Sequence, residues 1–99
     1  LYICGEIPAA TESVRLMSLA ARECVTNCVK HAHGSEVYLE IVRTDAGCMA
    51  VFTNNGDAPR APVTEGGGLS SLRQRIENAG GTMEIRHRPA FSLRVKVKE

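Results

Sequence analysis

Ninety-nine residues, 43% hydrophobic and 23% charged, are enough for one domain with its own hydrophobic core, and that balance argues against a disordered or membrane-spanning chain. A net charge of +1, no Trp and only 4% aromatic residues argue against a general binder of nucleic acid or membrane surfaces and against a base-stacking platform. No apolar run is long enough to cross a bilayer, and no signal peptide is visible. Because the chain begins at Leu1, in what reads as a strand, it is expected to be a segment of a longer protein.

Residues 1–7 form a short apolar segment, read as an edge strand ended by Pro8. Thr11 or Ser13 can cap a helix that runs to about Ala32 and is stopped by Gly34. Its expected core stripe is Val14, Met17, Ala21, Cys24, Cys28 and Ala32. Residues 36–44 alternate, with Val37, Leu39 and Ile41 on one side and Tyr38, Glu40 and Val42 on the other. Asp45-Ala46-Gly47 signals a hairpin, and residues 48–53 supply the return strand. Residues 54–65 are polar, carry Pro59 and Pro62 and lack periodicity, which predicts a loop or flexible lid. Leu69, Leu72, Ile76 and Ala79 then recur at helical spacing, and Gly80-Gly81 ends that helix. Residues 82–87 and 91–98 form a second strand pair around Arg88-Pro89-Ala90. The order predicts an α+β fold, a two-layer α/β sandwich with helices on one face of a mixed, mainly antiparallel sheet.

Four cysteines (Cys4, Cys24, Cys28, Cys48) include no CxxC pair. Cys24, Cys28 and His31 share a helical neighbourhood, but a zinc site needs a fourth ligand and no second pair is present. Buried free thiols in a reducing compartment are the expected reading.

The chemistry concentrates on one strip of the first helix. Glu23 and Asn27 are one i,i+4 step apart and Lys30 follows at i+3, so the three fall within roughly 60° of arc, beside the core stripe. A carboxylate, an amide oxygen and an ammonium suit phosphate oxygens and a hydrated Mg²⁺, which favours oxygen ligands and keeps several waters. Glu23 is positioned to act as a base or to orient water near a terminal phosphate. Gly66-Gly67-Gly68-Leu69 opens the second helix, where unpaired backbone N–H groups attract anions and absent side chains permit close approach. Asn54-Asn55-Gly56 ends a strand and is expected to converge on the same cavity; taken alone it reads as a turn. His33 and His87 read as surface residues, and Arg73 and Arg75 as solvent-facing or within reach of phosphate or a partner domain.

Residues 21–32, Ala-Arg-Glu-Cys-Val-Thr-Asn-Cys-Val-Lys-His-Ala, resemble the asparagine box of sensor histidine kinases. Residues 66–76, Gly-Gly-Gly-Leu-Ser-Ser-Leu-Arg-Gln-Arg-Ile, followed by Gly80-Gly81, resemble their second glycine box and the helix after it. The pairing is most similar to the subgroup whose output regulators bind DNA through a helix-turn-helix domain. The resemblance runs from about Thr11 to the end of the chain and implies the Bergerat ATP-binding fold, shared with gyrase, a heat-shock chaperone and mismatch-repair ATPases. It further implies a single ATP-binding domain over residues 1–99, with ATP and Mg²⁺ as cofactors and Asn27 on Mg²⁺. Glu23 would stand beside the terminal phosphate, Lys30 and His31 near the phosphate chain, and Gly66, Gly67, Gly68 and Leu69 around the phosphates. Asn54, Asn55 and Gly56 would occupy the first glycine box.

The implied activity is protein-histidine kinase, incomplete without an upstream histidine-bearing dimerisation domain, whose imidazole attacks the terminal phosphorus in line. A response regulator would be the downstream partner, with no direct nucleic-acid contact. The domain itself is expected to be cytoplasmic and monomeric, in a parent that can be membrane-anchored. Two features depart from the pattern. The family usually opens the first glycine box with an Asp that accepts from the adenine amino group; Asn54 keeps a carbonyl acceptor and loses the charge, and adenine affinity is expected to fall several-fold. Ala58 replaces a second glycine. Two alternatives therefore stay open: a serine-kinase anti-sigma factor of the same fold, and a non-catalytic interaction module with weakened nucleotide binding.

Overall fold

The computed structural model describes residues 1–8, 11–59 and 67–98. Its elements run β1 (Tyr2–Cys4), α1 (Thr11–His31), β2 (Val37–Arg43), β3 (Gly47–Asn54), α2 (Gly67–Asn78), β4 (Thr82–Arg86) and β5 (Ser92–Lys98). The sheet order is β1-β2-β3-β5-β4. Only β1–β2 is parallel; the other pairs are antiparallel, β2–β3 and β4–β5 through short connections and β3–β5 across α2 and β4.

Period-two alternation explains the layers. Val37, Leu39 and Ile41 of β2 turn inward while Tyr38, Glu40 and Val42 stay exposed. Opposite them in register, Phe52 and Ala50 of β3 are fully buried, as are Leu93 and Val95 of β5. Both helices close over this face in one cluster: Leu16, Met17, Ala20, Cys24 and Cys28 from α1, Leu72 and Ile76 from α2. α1 lies on β2, β3 and β5, and α2 packs between α1 and β4. The outer face of the sheet is open, with Tyr2 and Tyr38 stacked at 5.7 Å across the parallel pair.

Several expectations need correction. β1 stops at Cys4 rather than at Pro8, because Gly5 turns the chain at φ +105°, where a Cβ would fall 2.2 Å from the Ile41 carbonyl oxygen. Thr11 opens α1 and Ser13 lies inside it, buried at 2% exposure, so neither flanks the helix as a cap. Of the expected core stripe of α1, Met17, Cys24, Cys28 and Ala32 are buried and Ala21 packs half-buried against them, but Leu16 and Ala20 are buried too, whereas Val14 is 37% exposed. At the far end of α1 the left-handed residue is His33 (φ 54°), not Gly34, whose N–H donates to the Cys28 carbonyl at 3.0 Å. Ala79 is exposed, outside the buried stripe of α2. Gly80-Gly81 does end α2: Gly80 (φ +82°) donates to the Glu77 carbonyl and Gly81 to that of Ile76, the hydrogen-bond pair of a Schellman turn. The four cysteines are free, with Cys24, Cys28 and Cys48 buried and Cys4 exposed. Of the expected loop over 54–65, residues 60–65 lie outside the described residues, as does Gly66.

Candidate functional site: a cavity between the two helices and the end of β3

The spacing that builds the core also builds the site. Leu16, Ala20, Glu23, Asn27 and His31 succeed one another at three- and four-residue steps along α1, so they lie on one face. The first two are buried under α1; the last three line a cavity of about 450 Å³, a size suited to a small organic ligand. The polar strip therefore continues the core stripe rather than running beside it.

Opposite α1, the start of α2 contributes Gly67, Gly68 and Leu69 to the cavity. A Cβ on Gly68 would fall 2.0 Å from Glu23 Oε2, so the carboxylate occupies space that only glycine leaves open. Gly67 has nothing within 4 Å of such a Cβ, and its backbone faces open space.

The third wall comes from the segment after β3. Gly56 packs on the end of α1, where a Cβ would meet the Ala32 carbonyl oxygen at 2.5 Å. The Asp57 N–H donates to that same oxygen at 2.8 Å. Asn55 Oδ1 accepts from the N–H groups of Ser35 and Glu36 at 2.9 and 3.0 Å, and Asn55 Nδ2 donates to Ser35 Oγ at 3.1 Å. These bonds fasten the turn to the α1–β2 connection and hold Asn54, Asp57 and Pro59 against the cavity, with Ala32 and Phe91 as apolar lining. Asn54 Oδ1 accepts from the Gly56 N–H at 2.9 Å. The Asp57 carboxylate stands 3.6 Å from His33 Nδ1, both side chains largely exposed.

Three segments far apart in sequence thus meet at one hollow with a carboxylate, amide groups, an imidazole and a glycine-rich helix start on its walls. No protein-family model matches the chain. It is 34% identical over 79 residues to the signal transduction histidine-protein kinase/phosphatase UhpB of Salmonella typhimurium, a stretch that covers 78% of this chain and 16% of that protein. The ATP-binding domain of PrrB from Mycobacterium tuberculosis superposes with TM-score 0.68 at 18% identity, covering 97% of this chain and 77% of that one. The histidine kinase domain of a blue-light-activated kinase from Erythrobacter litoralis gives 0.71 at 14% identity, covering 97% and 52%. The chain belongs to the histidine-protein kinases and has the fold of their ATP-binding domains.

Within this histidine-kinase fold, Glu23, Asn27, His31, Asn54, Gly67, Gly68 and Leu69 all line the cavity. Two other candidates do not. Lys30 is exposed at the solvent edge of the strip, and Gly56 is spent on packing against Ala32. Arg73, expected to face solvent, donates from Nη1 to the Met83 carbonyl at 2.8 Å and ties α2 to β4. Asp57, Pro59, Ala32 and Phe91 were not singled out by the sequence. Asp57 directly follows Asn-Asn-Gly, which was a usable signal; Phe91 carried none, reading as an ordinary strand residue. Among the described residues no group of three or more His, Cys, Asp or Glu side chains is arranged to hold a metal ion. No helix among them is long and apolar enough to cross a membrane.

Burial sets the state of a core residue next to the site. Cys24, one position after Glu23, has its thiol pushed up from 9.0 to about 12, first by burial and then by the neighbouring charges of Glu23 and Cys28. It stays protonated and takes no part as a nucleophile.

Proposed function

We propose that this chain is the ATP- and Mg²⁺-binding catalytic domain of a sensor histidine kinase, which donates the terminal phosphate of ATP to a histidine on a dimerisation domain elsewhere in its parent. One observation carries the reading: the asparagine-box residues Glu23, Asn27 and His31 share a cavity with Gly67, Gly68 and Leu69, forty residues on in sequence. The matched stretch is a small part of UhpB, so the transfer reaction, the dimerisation domain and a response-regulator partner are carried over as parts of this proposal.

The donor set fits a cation that arrives with its nucleotide. Glu23 and Asn27 offer two protein oxygens on one wall, which suits a magnesium ion whose other ligands are phosphates and water. When bound, the ion neutralises charge on the phosphates. Asn27 would hold it through its amide oxygen, Glu23 would orient the attacking group, and the backbone N–H groups at the start of α2 would donate to the phosphate oxygens. Lys30 would steer anions from the rim. The assigned domain spans residues 1–99 and is monomeric by itself.

Calorimetric titration of the chain with ADP and Mg²⁺ tests the binding half; saturation at one hundred times Kd is expected to stabilise the fold by about 2.7 kcal/mol. In a complete kinase carrying this domain, Asn27→Ala is expected to abolish ATP-dependent phosphotransfer while leaving the circular dichroism spectrum unchanged. Transfer retained by that variant would remove Asn27 from its role. A chain that binds no nucleotide at all would leave the interaction-module reading standing.

A further inference from the structure

The cavity has two chemically different ends. At one, Gly68 abuts the Glu23 carboxylate beside the start of α2; at the other, Gly56 abuts Ala32. From Glu23 to Ala32 along α1 is about 13 Å, roughly the reach of a nucleoside diphosphate from base to outer phosphate. Resting on the nucleotide reading above, phosphates belong at the glycine end, leaving the base between Ala32, Phe91 and Asn54.

Asn54 is the polar side chain at that end whose orientation is dictated by a neighbour. A backbone N–H can donate only to an oxygen, so the Gly56 N–H fixes Oδ1 on its own side. Gly56 itself packs on Ala32 and does not line the cavity, whereas Asn54 does. The other end of the planar amide, Nδ2, is then the group left for a ligand, and it has no hydrogen-bond partner among the described residues. This weakens the expectation that Asn54 offers a carbonyl acceptor to the base: one of the two lone pairs of Oδ1 is already engaged in the turn. Flipping the amide would place two N–H donors face to face and lose the turn bond.

We propose that Asn54 presents a hydrogen-bond donor to the base edge, so that this site accepts 6-oxo purine nucleotides, with a carbonyl at the 6-position, at least as well as adenine nucleotides. An aspartate at 54 would keep the turn bond through one oxygen and offer the cavity an acceptor through the other, reversing the preference. Asp57, another polar group at this end, is turned to His33 and is largely exposed, so water competes for it.

The test titrates the chain with ADP, inosine diphosphate and purine riboside diphosphate, each with Mg²⁺, and repeats the series with Asn54→Asp. Inosine diphosphate is expected to bind the native chain at least as tightly as ADP. Asn54→Asp is expected to swing the ratio toward ADP by about tenfold or more, because a donor that faces a donor leaves both unpaired. A native preference for ADP over inosine diphosphate, or an unchanged ratio in Asn54→Asp, overturns the base assignment and leaves the nucleotide reading intact. Binding of none of the three overturns both. Should Asn54→Asp not fold, the order of the three ligands on the native chain decides alone.

Discussion

Gly68 and Glu23 show how one missing side chain shapes this site. The Glu23 carboxylate sits where a Gly68 Cβ would be, and the obstructing atoms are the tip of a flexible side chain rather than backbone. Gly68→Ala is therefore expected to fold, with thermal stability within about 3 °C of the native chain, since displacing a carboxylate tip is offset by the better helix propensity of alanine. Its effect should appear in binding: Glu23 is pushed into the cavity and the phosphate approach narrows, so affinity for ADP with Mg²⁺ is expected to fall by about tenfold. A double-mutant cycle identifies the cause. Urea unfolding of Gly68→Ala, Glu23→Ala and the pair should give a coupling of about 0.5 kcal/mol or more, with the pair better tolerated than the sum. Strict additivity would mean the two residues do not compete for the same space.

The two helices owe their placement to different causes, and the sequence disclosed them unequally. α2 was legible almost to the residue, because its stripe of Leu69, Leu72 and Ile76 is bounded by a glycine start and a Gly-Gly stop. Its stop can be tested directly. Gly80 holds φ +82°, and a Cβ there would meet only the Lys98 side chain at 3.6 Å, so Gly80→Ala carries a backbone cost without a packing clash. A loss of about 1 kcal/mol in urea unfolding, with the slope unchanged, is the expected outcome. α1 was placed correctly, and its core stripe was legible except at Val14, Leu16 and Ala20. Its spacing admits both Val14 with Ala21 and Leu16 with Ala20 as core positions, since the two choices share Met17, Cys24 and Cys28. Selecting between them takes the tertiary packing, in which Leu16 and Ala20 share one cluster with Leu72 and Ile76 of α2, some fifty residues away. Periodicity within one helix carries no such information. The same limit hid Asn55, whose bonds to Ser35 and Glu36 depend on a meeting of loops that local sequence does not announce.

At the scale of the molecule, the core and the cavity share α1, and Cys24 lies at the junction. Buried beneath the sheet-facing side of the helix, with Glu23 as its neighbour toward the cavity, its thiol is raised from 9.0 to about 12. The native chain holds this proton over a range where the unfolded chain gives it up, so between those values the native state binds more protons. The associated stability is complete below about pH 9 and is lost as pH rises toward 12. One thiol contributes a slope of at most about 1.4 kcal/mol per pH unit, and a domain of this size has only about 5–15 kcal/mol in total. Alkaline loss of structure should therefore begin inside this window. Cys24→Ala removes the titrating group at a cost of about 1 kcal/mol for the smaller side chain near neutral pH. Urea unfolding at pH 8, 9.5 and 11 is expected to show a shallower decline for the variant than for the native chain, so that the two curves converge as pH rises. Parallel curves would mean that the proton on Cys24 is not what couples the stability of this core to pH.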